Sequence, residues 1–411
     1  MLKGKTVVLA VSGSIACYKA AELTRILINE GARVRVIMTK NAQEFITPLT
    51  FQTLSGNLVA TDTFSLTQES EIGHIRLADS ADVLLIAPAT ANIIGKLANG
   101  IADDLLTTVL MATTAPVLIA PAMNVHMYNN PILQQNMARL KSLGYHFIEP
   151  GEGSLACGYE GKGRLADPTD IVEAVKNVLT KKALVGENVL VTAGPNREPI
   201  DPVRFISNRS TGKMGFALAR IARRRGATVT LISGPTSLIP PYRANFRPVD
   251  RAVEMHRAVM ECYPAATIVI MAAAVADYRP THMATGKIKK GSSSLILELE
   301  RNPDIAAELG GQKGDRLLVG FATETEELIA NARRKLIEKN FDLIVANDVT
   351  QKGAGFATDT NIVTLIDRTG GVEHLPLMTK DEVAAVIFDR ILVLKESPGL
   401  RTESLERASG P

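Results

Sequence analysis

The sequence predicts an α/β protein of two open, Rossmann-like domains, each built on a mostly parallel β-sheet. Short β-branched runs alternate with Ala- and Leu-rich helical segments, which is the order of β-α-β units. The phrase Gly-Ala-x-Val-x-x-Ile occurs at Gly31 and again at Gly226, each time between a helix and a strand, so the architecture is used twice. Aromatic residues make up 4% of the chain and Trp is absent. The cores are therefore aliphatic, as in parallel sheets that are buried on both faces.

The first domain is predicted to span residues 1–180. Its strands are β-branched or aliphatic runs, at Thr6–Val11, Gly31–Ile37, Val83–Ala87 and Val117–Ala120. A helical pattern over Ala16–Glu30 connects the first two strands, and each of the two later strands is followed by a polar turn and a helix. This succession predicts a sheet whose loops at the carboxyl ends of the strands are open to ligands.

A charged connector, Lys181–Glu187, precedes the second copy of the pattern, which predicts a second domain at residues 181–395. Its predicted strands are again mainly apolar runs, at Asn188–Thr192, Gly226–Ile232, Thr267–Met271, Leu317–Gly320 and Leu343–Ala346, with a half-exposed strand at Leu295–Glu300. Helices are predicted at Gly215–Arg225, Asp304–Leu309 and Glu324–Lys339. Residues 396–411 contain few apolar side chains and are predicted to form a disordered tail.

The composition of the chain argues against several classes of protein. A net charge of +3 predicts no strong attraction to nucleic acid. Apolar runs stay shorter than the roughly 18 residues that a membrane span needs, and a strand-like run begins almost at once, so we expect neither a membrane anchor nor a signal peptide. Three widely spaced cysteines predict a reducing cytoplasm rather than a disulfide scaffold.

Polar turns at the ends of the first-domain strands are candidates for cofactor binding. Gly13, Ser14 and Ile15 lie between a strand and a helix, where backbone N–H groups and the Ser14 hydroxyl can hold a phosphate. A Gly-Ser turn is also common for geometric reasons alone. Further polar side chains follow the later strands, at Thr39, Thr90 and Asn92. Helix capping is an alternative account of Thr90 and Asn92.

Three further segments of the first domain contain residues suited to catalysis. His74 follows a glycine, and Asn124 lies in a turn that is crowded with Met and His after the fourth strand. Cys157 lies in a Gly-rich segment about 30 residues later. A reactive Cys in a Cys-poor chain is a candidate acid or nucleophile. The alternatives are that His74 is a cap or a surface residue and that Cys157 is a small buried hydrophobe.

In order and spacing, five segments of the first domain resemble the flavin-containing cysteine decarboxylases. They are Gly13–Ala16, Gly73–His74, Pro88–Asn92, Pro121–Met127 and Ala156–Gly158. The resemblance is greatest to the phosphopantothenoylcysteine decarboxylase half of the bifunctional coenzyme A biosynthesis proteins, with Tyr128 where that family often has Trp. It implies a flavodoxin-like domain with FMN, whose phosphate lies at the Gly13–Ala16 turn. It also implies His74 as a base, Asn124 as the carboxylate ligand and Cys157 as an acid that protonates the intermediate.

The second domain contains two groups of residues suited to a phosphorylated ligand. Arg204 and Asn208 lie in a segment of hydroxyls, amides, cations and glycines at the start of a helix, which favours an anion. A polar loop with a capped helix is the alternative. Small residues end the strand at Met271, Ala272 and Ala273 and permit close approach of a flat base, and Asp277 could bind a ribose or a metal.

These segments resemble the phosphopantothenate–cysteine ligase half of the same family, and with the first half the resemblance extends to about Leu394. In the family, the carboxylate of 4'-phosphopantothenate attacks CTP to give an acyl-cytidylate, and cysteine then displaces CMP. The resemblance implies Lys287 at the triphosphate, Asn208 on the acyl-cytidylate with Arg204 assisting, and Mg²⁺ on the phosphates, with unknown metal ligands. It completes the CTP pocket with Met271, Ala272, Ala273, Asp277, Asn302, Pro303, Asp304, Ile305, Phe321, Lys335 and Lys339. From spacing alone, Lys335 and Lys339 are a lysine pair on one face of a helix, which is solvated by default.

The same resemblance implies trimers of the decarboxylase half and dimers of the ligase half, and hence a dodecamer. Two other functions are compatible with parts of the sequence. A different flavoprotein of the same fold would leave the second domain unexplained. A regulatory subunit without catalysis would be expected to lack the His or the Cys, whereas His74, Asn124 and Cys157 are all present.

Overall fold

The structure is a computed structural model that describes residues 2–63, 73–154, 158–289, 295–324, 327–348, 355 and 357–396. The chain divides into two compact units, Met1–Thr180 and Lys181–Pro411. Cys157 and residues 397–411, for which a tail is predicted, lie outside the described residues.

Unit 1 is built on a parallel sheet of five strands. The strands are β1 Thr6–Val11, β2 Arg33–Met38, β3 Val83–Ala89, β4 Val117–Pro121 and β5 His146–Phe147. Their order across the sheet is β2-β1-β3-β4-β5, and every pair is parallel. Every residue of β1, β3 and β4 is buried, because helices cover both faces of the sheet. The predicted α/β class and the four predicted strands are confirmed.

Two further strands of unit 1, β6 Gly151–Ser154 and β7 Glu160–Arg164, form a separate antiparallel hairpin. The nine helices described in unit 1 are α1 Cys17–Asn29, α2 Lys40–Gln43, α3 Pro48–Ser55, α4 Gly73–Ser80, α5 Ala91–Ala98, α6 Leu105–Ala112, α7 Val125–Tyr128, α8 Pro131–Ser142 and α9 Pro168–Leu179. Alternate residues of β1 enter different cores. Val7 and Leu9 pack with α1 and α9, and Val8 and Ala10 pack with α5, α6 and α8.

Unit 2 is built on a larger mixed sheet with small antiparallel arms. Its strands are β8 Asn188–Ala193, β9 Arg197–Pro199, β10 Phe205–Ser207, β11 Thr228–Ser233, β12 Asn245–Pro248, β13 Ile268–Met271, β14 Tyr278–Pro280, β15 Leu299–Arg301, β16 Leu317–Glu324, β17 Leu343–Asp348, β18 Thr360–Asn361, β19 Val363–Asp367, β20 Val372–His374 and β21 Met378–Thr379. The main sheet has the order β12-β11-β8-β13-β16-β17-β19-β20. It is parallel from β12 to β17 and antiparallel at β19 and β20.

The helices of unit 2 are α10 Lys213–Arg224, α11 Ala252–Cys262, α12 Ile305–Gly311, α13 Leu328–Glu338 and α14 Lys380–Glu396. Three predicted boundaries are wrong. The strand predicted at Leu317–Gly320 continues to Glu324 as β16. The half-exposed strand predicted at Leu295–Glu300 exists only from Leu299, where it pairs with β14 in a two-stranded arm. The helix predicted from Glu324 begins at Leu328, because β16 continues through Glu324 alongside β17. Among the described residues, no helix has both the length and the apolar character that crossing a membrane requires.

Candidate functional site

The carboxyl edge of the unit 1 sheet has a topological switch point between β1 and β3, because the chain passes from β1 to β2 on one side and from β3 to β4 on the other. Open α/β sheets bind ligands in the crevice at such a point, and we call this place the β1/β3 crevice. Ser12 is buried at this point. Its Oγ donates to the Pro88 carbonyl at 2.8 Å and accepts from the Thr90 N–H at 3.1 Å, so it ties the two loops together. Sequence reasoning missed Ser12, which gave no signal beyond its place at the end of β1.

The turn after β1 has the features of a phosphate cradle. Ser14 Oγ accepts from the Ala16 N–H at 3.3 Å, and Ile15 is 59% exposed. Ala16 at the N-cap of α1 has no side chain that could satisfy the first N–H groups of this 13-residue helix. A Cβ on Gly13 would lie 2.5 Å from the Cβ of Asn41, so only glycine allows the α2 turn to approach this closely. The Cys17 and Lys19 N–H groups donate to the carbonyls of Ser14 and Ala16, each at 3.0 Å. A helix N-terminus at a switch point that no side chain caps still fits the phosphate of a flavin nucleotide, because the positive end of the helix dipole lies there.

The three other predicted cofactor residues all lie at the carboxyl edge of the sheet. Thr39 caps α2 by accepting from the Ala42 N–H at 3.3 Å, and Thr90 caps α5 by accepting from Ile93 at 3.5 Å. Asn92 is exposed on the first turn of α5. Capping therefore accounts for the Thr39 and Thr90 hydroxyls in this structure, while their positions remain at the edge of the crevice.

The loop of Asn124 is covered by the β6–β7 hairpin. Asn124 caps α7, with Oδ1 accepting from the His126 N–H at 2.8 Å. The Met123 N–H donates to the Gly163 carbonyl at 2.9 Å, and the rings of His126 and Tyr159 meet edge to face at 4.9 Å. Two residues after Cys157, the chain is therefore in contact with the α7 helix that Asn124 caps. This places the hairpin where it can exclude water from the Asn124 loop.

His74 is the second residue of α4 and is half-buried. The helix packs against α6, and the Thr113 hydroxyl that follows α6 donates to the Ala78 carbonyl at 3.2 Å. Among the described residues, the hydrogen bonds that tie the crevice together connect Ser12, Pro88 and Thr90, and His74 takes no part in them. The structure thus brings the turn at Gly13, the Thr90 cap and the Thr39 cap to one edge, but it does not join His74 to them.

Unit 2 has a cavity of about 840 Å³ at the carboxyl ends of β13 and β16. Of the twelve predicted nucleotide residues, ten line it: Met271, Ala273, Asp277, Asn302, Pro303, Asp304, Ile305, Phe321, Lys335 and Lys339. Asn208 also lines it, whereas Ala272 and Lys287 are not among its lining residues. The lining residues that sequence reasoning missed include Arg209, Tyr278, Arg301, Thr323 and Phe341. They lie on the arms and strand ends, where periodicity carries no information about which side chains converge.

Hydrogen bonds fix the shape of this cavity. Asn302 donates from Nδ2 to the Ala276 carbonyl at 2.8 Å and accepts from Arg279 Nη1 at 3.0 Å. Asp304 caps α12 by accepting from the Ala307 N–H and pairs with Lys339 at 3.1 Å. That ion pair is partly exposed, so it adds little stability, but it fixes the Lys339 ammonium at the cavity wall.

The predicted ligase residues Asn208, Arg204 and Lys287 lie on two neighbouring segments. Asn208 Nδ2 donates to the Ala274 carbonyl at 3.0 Å, which connects the end of the β9–β10 hairpin to the segment after β13. Lys287 is exposed. Arg204 donates from Nη2 to the carbonyl of Ile288 at 2.9 Å and pairs with Asp201. The Arg204 guanidinium holds the pKa of the Asp201 carboxyl well below its usual range.

The glycine-rich turn before α10 packs closely on the end of β8. A Cβ on Gly215 would lie 2.5 Å from the Cβ of Ala193. The Lys213 ammonium is bound at 2.7 Å to Asp359 and at 2.8 Å to the Ala357 carbonyl. The part of the chain that the structure describes contains no cluster of three or more His, Cys, Asp or Glu side chains suited to a metal ion.

Two family models match the chain and together span most of it. The model described as Flavoprotein matches residues 1–180. The model described as DNA/pantothenate metabolism flavoprotein C-terminal domain matches residues 184–394.

The similar proteins in other organisms match nearly the full chain. A protein of Bacillus subtilis named coenzyme A biosynthesis bifunctional protein CoaBC is 53% identical over 406 residues, which is 98% of this chain and 100% of the relative. The Escherichia coli protein of the same name is 46% identical over 396 residues, or 95% and 97% of the two chains. The crystal structure of the C-terminal domain of a CoaBC protein is 44% identical, with a TM-score of 0.46, and covers 53% of this chain and 100% of that one.

Proposed function

The chain belongs to the CoaBC family of bifunctional coenzyme A biosynthesis proteins, and from this membership we propose that its two units catalyse consecutive steps on one intermediate. It is a bifunctional enzyme, with a flavoprotein decarboxylase in unit 1 and a ligase in unit 2. Unit 2 joins 4'-phosphopantothenate to cysteine at the expense of CTP. Unit 1 then decarboxylates 4'-phosphopantothenoylcysteine to 4'-phosphopantetheine with FMN.

The ligase step needs an activated carboxylate, because a free carboxylate would have to expel oxide. Attack of the 4'-phosphopantothenate carboxylate on the α-phosphate of CTP gives an acyl-cytidylate and pyrophosphate. The amine of cysteine then displaces CMP and forms the amide. The cavity of about 840 Å³ is the observation that carries this proposal, because it has nucleotide size and gathers small, aromatic and cationic side chains at one sheet edge.

Within this cavity, each part of CTP has a counterpart in the lining. The side chains of Met271 and Ala273 and the ring of Phe321 suit the flat base, and Asp277 suits the ribose hydroxyls. Lys335, Lys339 and the segment at Asn302–Ile305 would face the phosphates. Lys287 would reach the triphosphate from its exposed position, and Asn208 would hold the acyl-cytidylate. Mg²⁺ would enter with the phosphates, which commonly supply much of its coordination.

The decarboxylase step needs a group that accepts two electrons. FMN, when bound at the β1/β3 crevice, would supply a two-electron acceptor for the cysteine moiety and return the electrons after CO2 has left. Asn124 would hold the substrate carboxylate at the α7 cap, and His74 would take a proton from the substrate. Cys157 would return a proton to the intermediate. The start of α1, which lies at the switch point and has no side-chain cap, is the observation that supports a phosphate-bearing flavin.

Oligomers are proposed from exposed apolar side chains on the arms of unit 2. Phe205, Tyr278 and Leu299 are 48%, 46% and 44% exposed on β10, β14 and β15. Such side chains on two-stranded arms suit a dimer contact. A dodecamer of ligase dimers and decarboxylase trimers is the assembly we propose. A cytoplasmic location is proposed from the cysteine content, and Cys17 and Cys262 are free thiols.

The test supplies the full chain with 4'-phosphopantothenate, cysteine, CTP and Mg²⁺ and measures CMP and CO2 together, after the flavin spectrum has been recorded. Cys157→Ala is expected to limit CO2 release to a single turnover, because its proton is needed only after CO2 has left, and to leave CMP release intact, with Cys262→Ala as its matched control. Lys287→Ala is expected to slow CMP release strongly, to a residual rate that can still be measured, and to leave CO2 release from supplied 4'-phosphopantothenoylcysteine intact, with Lys289→Ala as its control. Folded, colourless protein that releases neither product would overturn the proposal.

A further inference from the structure

The backbone next to Lys287 is hydrogen-bonded to a buried carboxylate, Asp201. We propose that Asp201 is a positioning residue of the ligase reaction, which acts with Arg204 by fixing the backbone beside Lys287. The inference rests on the proposed function, because Lys287 has its role at the triphosphate only there. It assigns Arg204 a positioning role rather than contact with the acyl-cytidylate.

Asp201 makes hydrogen bonds with both of its carboxylate oxygens. It is 2% exposed. Oδ1 accepts from the N–H groups of Val203 and Arg204, each at 2.8 Å, and so closes the turn between β9 and β10. Oδ2 accepts from Arg204 Nε at 2.9 Å and from the Ile288 N–H at 3.2 Å. One side chain therefore connects the turn, the guanidinium and the Lys287 segment.

Arg204 completes the hold on the same residue. Its Nη2 donates to the Ile288 carbonyl at 2.9 Å, so both backbone groups of Ile288 are bound by this pair. A second connection lies upstream, where the Ala284 N–H donates to the Ile200 carbonyl at 3.0 Å. Lys287 lies between these two attachments. Ile288 is half-buried and Lys287 is exposed, so the backbone is fixed while the ammonium is free to reach a ligand.

The chemistry of the pair requires a carboxylate. Asp201 accepts all of its hydrogen bonds, and an amide in the same place would bring an NH2 donor toward N–H donors. With asparagine at position 201, Arg204 would lose its ion pair, and its Nη2 would no longer be oriented toward the Ile288 carbonyl. Fixing the backbone beforehand matters because a flexible lysine that must find the triphosphate pays conformational entropy in each cycle, and displacement by about 1 Å can cost about 100-fold in rate.

The test compares Asp201→Asn with Asp367→Asn in the full chain. Asp367 is a matched control in the same unit, since it is 3% exposed, accepts from the N–H groups of Thr369 and Gly371, and pairs with Arg390. Hydrogen exchange followed by mass spectrometry reports on the Ile288 amide in peptides covering residues 284–289. We expect faster exchange there in Asp201→Asn and unchanged exchange in Asp367→Asn. Ligation, measured as CMP release, is expected to fall about 10- to 100-fold only in Asp201→Asn.

The double variant Asp201→Asn with Lys287→Ala shows whether Asp201 acts through Lys287. We expect it to be no slower than Lys287→Ala alone, because the positioned group is already gone. Arg204→Lys keeps the positive charge but removes the guanidinium, which binds Asp201 and the Ile288 carbonyl at the same time. It tests the same attachment of Ile288 if Asp201→Asn does not fold. Additive losses, or unchanged exchange at Ile288 with slow ligation, would overturn the inference. If Lys287→Ala ligates normally while exchange at Ile288 still rises in Asp201→Asn, the role proposed for Lys287 fails and the backbone contact stands.

Discussion

Replacing Gly163 by alanine tests whether the β6–β7 hairpin positions the Asn124 loop. Gly163 has φ +155°, and a Cβ there would lie 2.3 Å from the Met123 carbonyl oxygen. An ordinary contact needs roughly 3.4 Å, so the hairpin and the loop must separate by about 1 Å. The Met123–Gly163 hydrogen bond then lengthens, and the neighbouring Asn124 moves with the loop. A displacement of this size is expected to slow decarboxylation by about 100-fold, which corresponds to about 2.7 kcal/mol in the barrier.

Gly153→Ala is the matched control on the same hairpin. Gly153 also has a positive φ, +137°, so its substitution carries similar backbone strain, but its Cβ would meet only the end of the flexible Arg164 side chain, at 3.2 Å. The assay is CO2 release from supplied 4'-phosphopantothenoylcysteine, with CMP release as an internal standard for intact unit 2. Equal rates in the two variants would show that strain in the hairpin, and not contact with the Met123 carbonyl, governs the site.

Three further outcomes are expected from other parts of the structure. Ser12→Ala removes the hydroxyl that joins the β1 and β3 loops, and flavin titration should show about tenfold weaker binding, the equivalent of about 1.4 kcal/mol for one buried hydrogen bond. Asn302→Ala should raise the KM for CTP in the CMP assay and leave CO2 release unchanged, because Arg279 and the Ala276 carbonyl lose their partner. Burial lowers the pKa of Lys380 to about 8, so between pH 8 and about 10.4 the unfolded chain binds more protons and Lys380 adds a rise of stability with pH. Urea titrations should show a shallower rise in Lys380→Met, and identical slopes would contradict the assignment.

The strands were predicted correctly where burial of both faces of the sheet determines the sequence. Thr6–Val11 is apolar throughout because helices cover both faces of its sheet, and the predicted bounds are those of β1. A second rule explains why the polar residues that follow neighbouring strands lie close together: the carboxyl ends of parallel strands lie at one edge of the sheet. Most of the predicted nucleotide residues therefore line one cavity, although they are scattered over about 70 residues of sequence.

The elements that sequence reasoning missed depend on contacts that leave no periodic pattern of apolar residues in the sequence. The β6–β7 hairpin is rich in glycine and lies close to the Met123–Val125 loop, and its strands show no alternation of apolar residues. The strand expected at Leu295–Glu300 is shortened because a two-stranded arm leaves most of its side chains exposed. Asp201 escaped notice because an isolated Asp-Pro pair looks like any turn. Its importance appears only when Ile288, far away in sequence, is seen against it.

Each of the four apolar clusters draws its members from one side of the Thr180–Lys181 junction. Among the described residues, the interior of each half is therefore filled by its own side chains. A gene interrupted at this junction would therefore yield two polypeptides that fold separately, and mixing them should restore the pathway from 4'-phosphopantothenate to 4'-phosphopantetheine. The fusion then keeps the two domains equimolar, because each ligase domain is synthesised together with one decarboxylase domain that consumes its product.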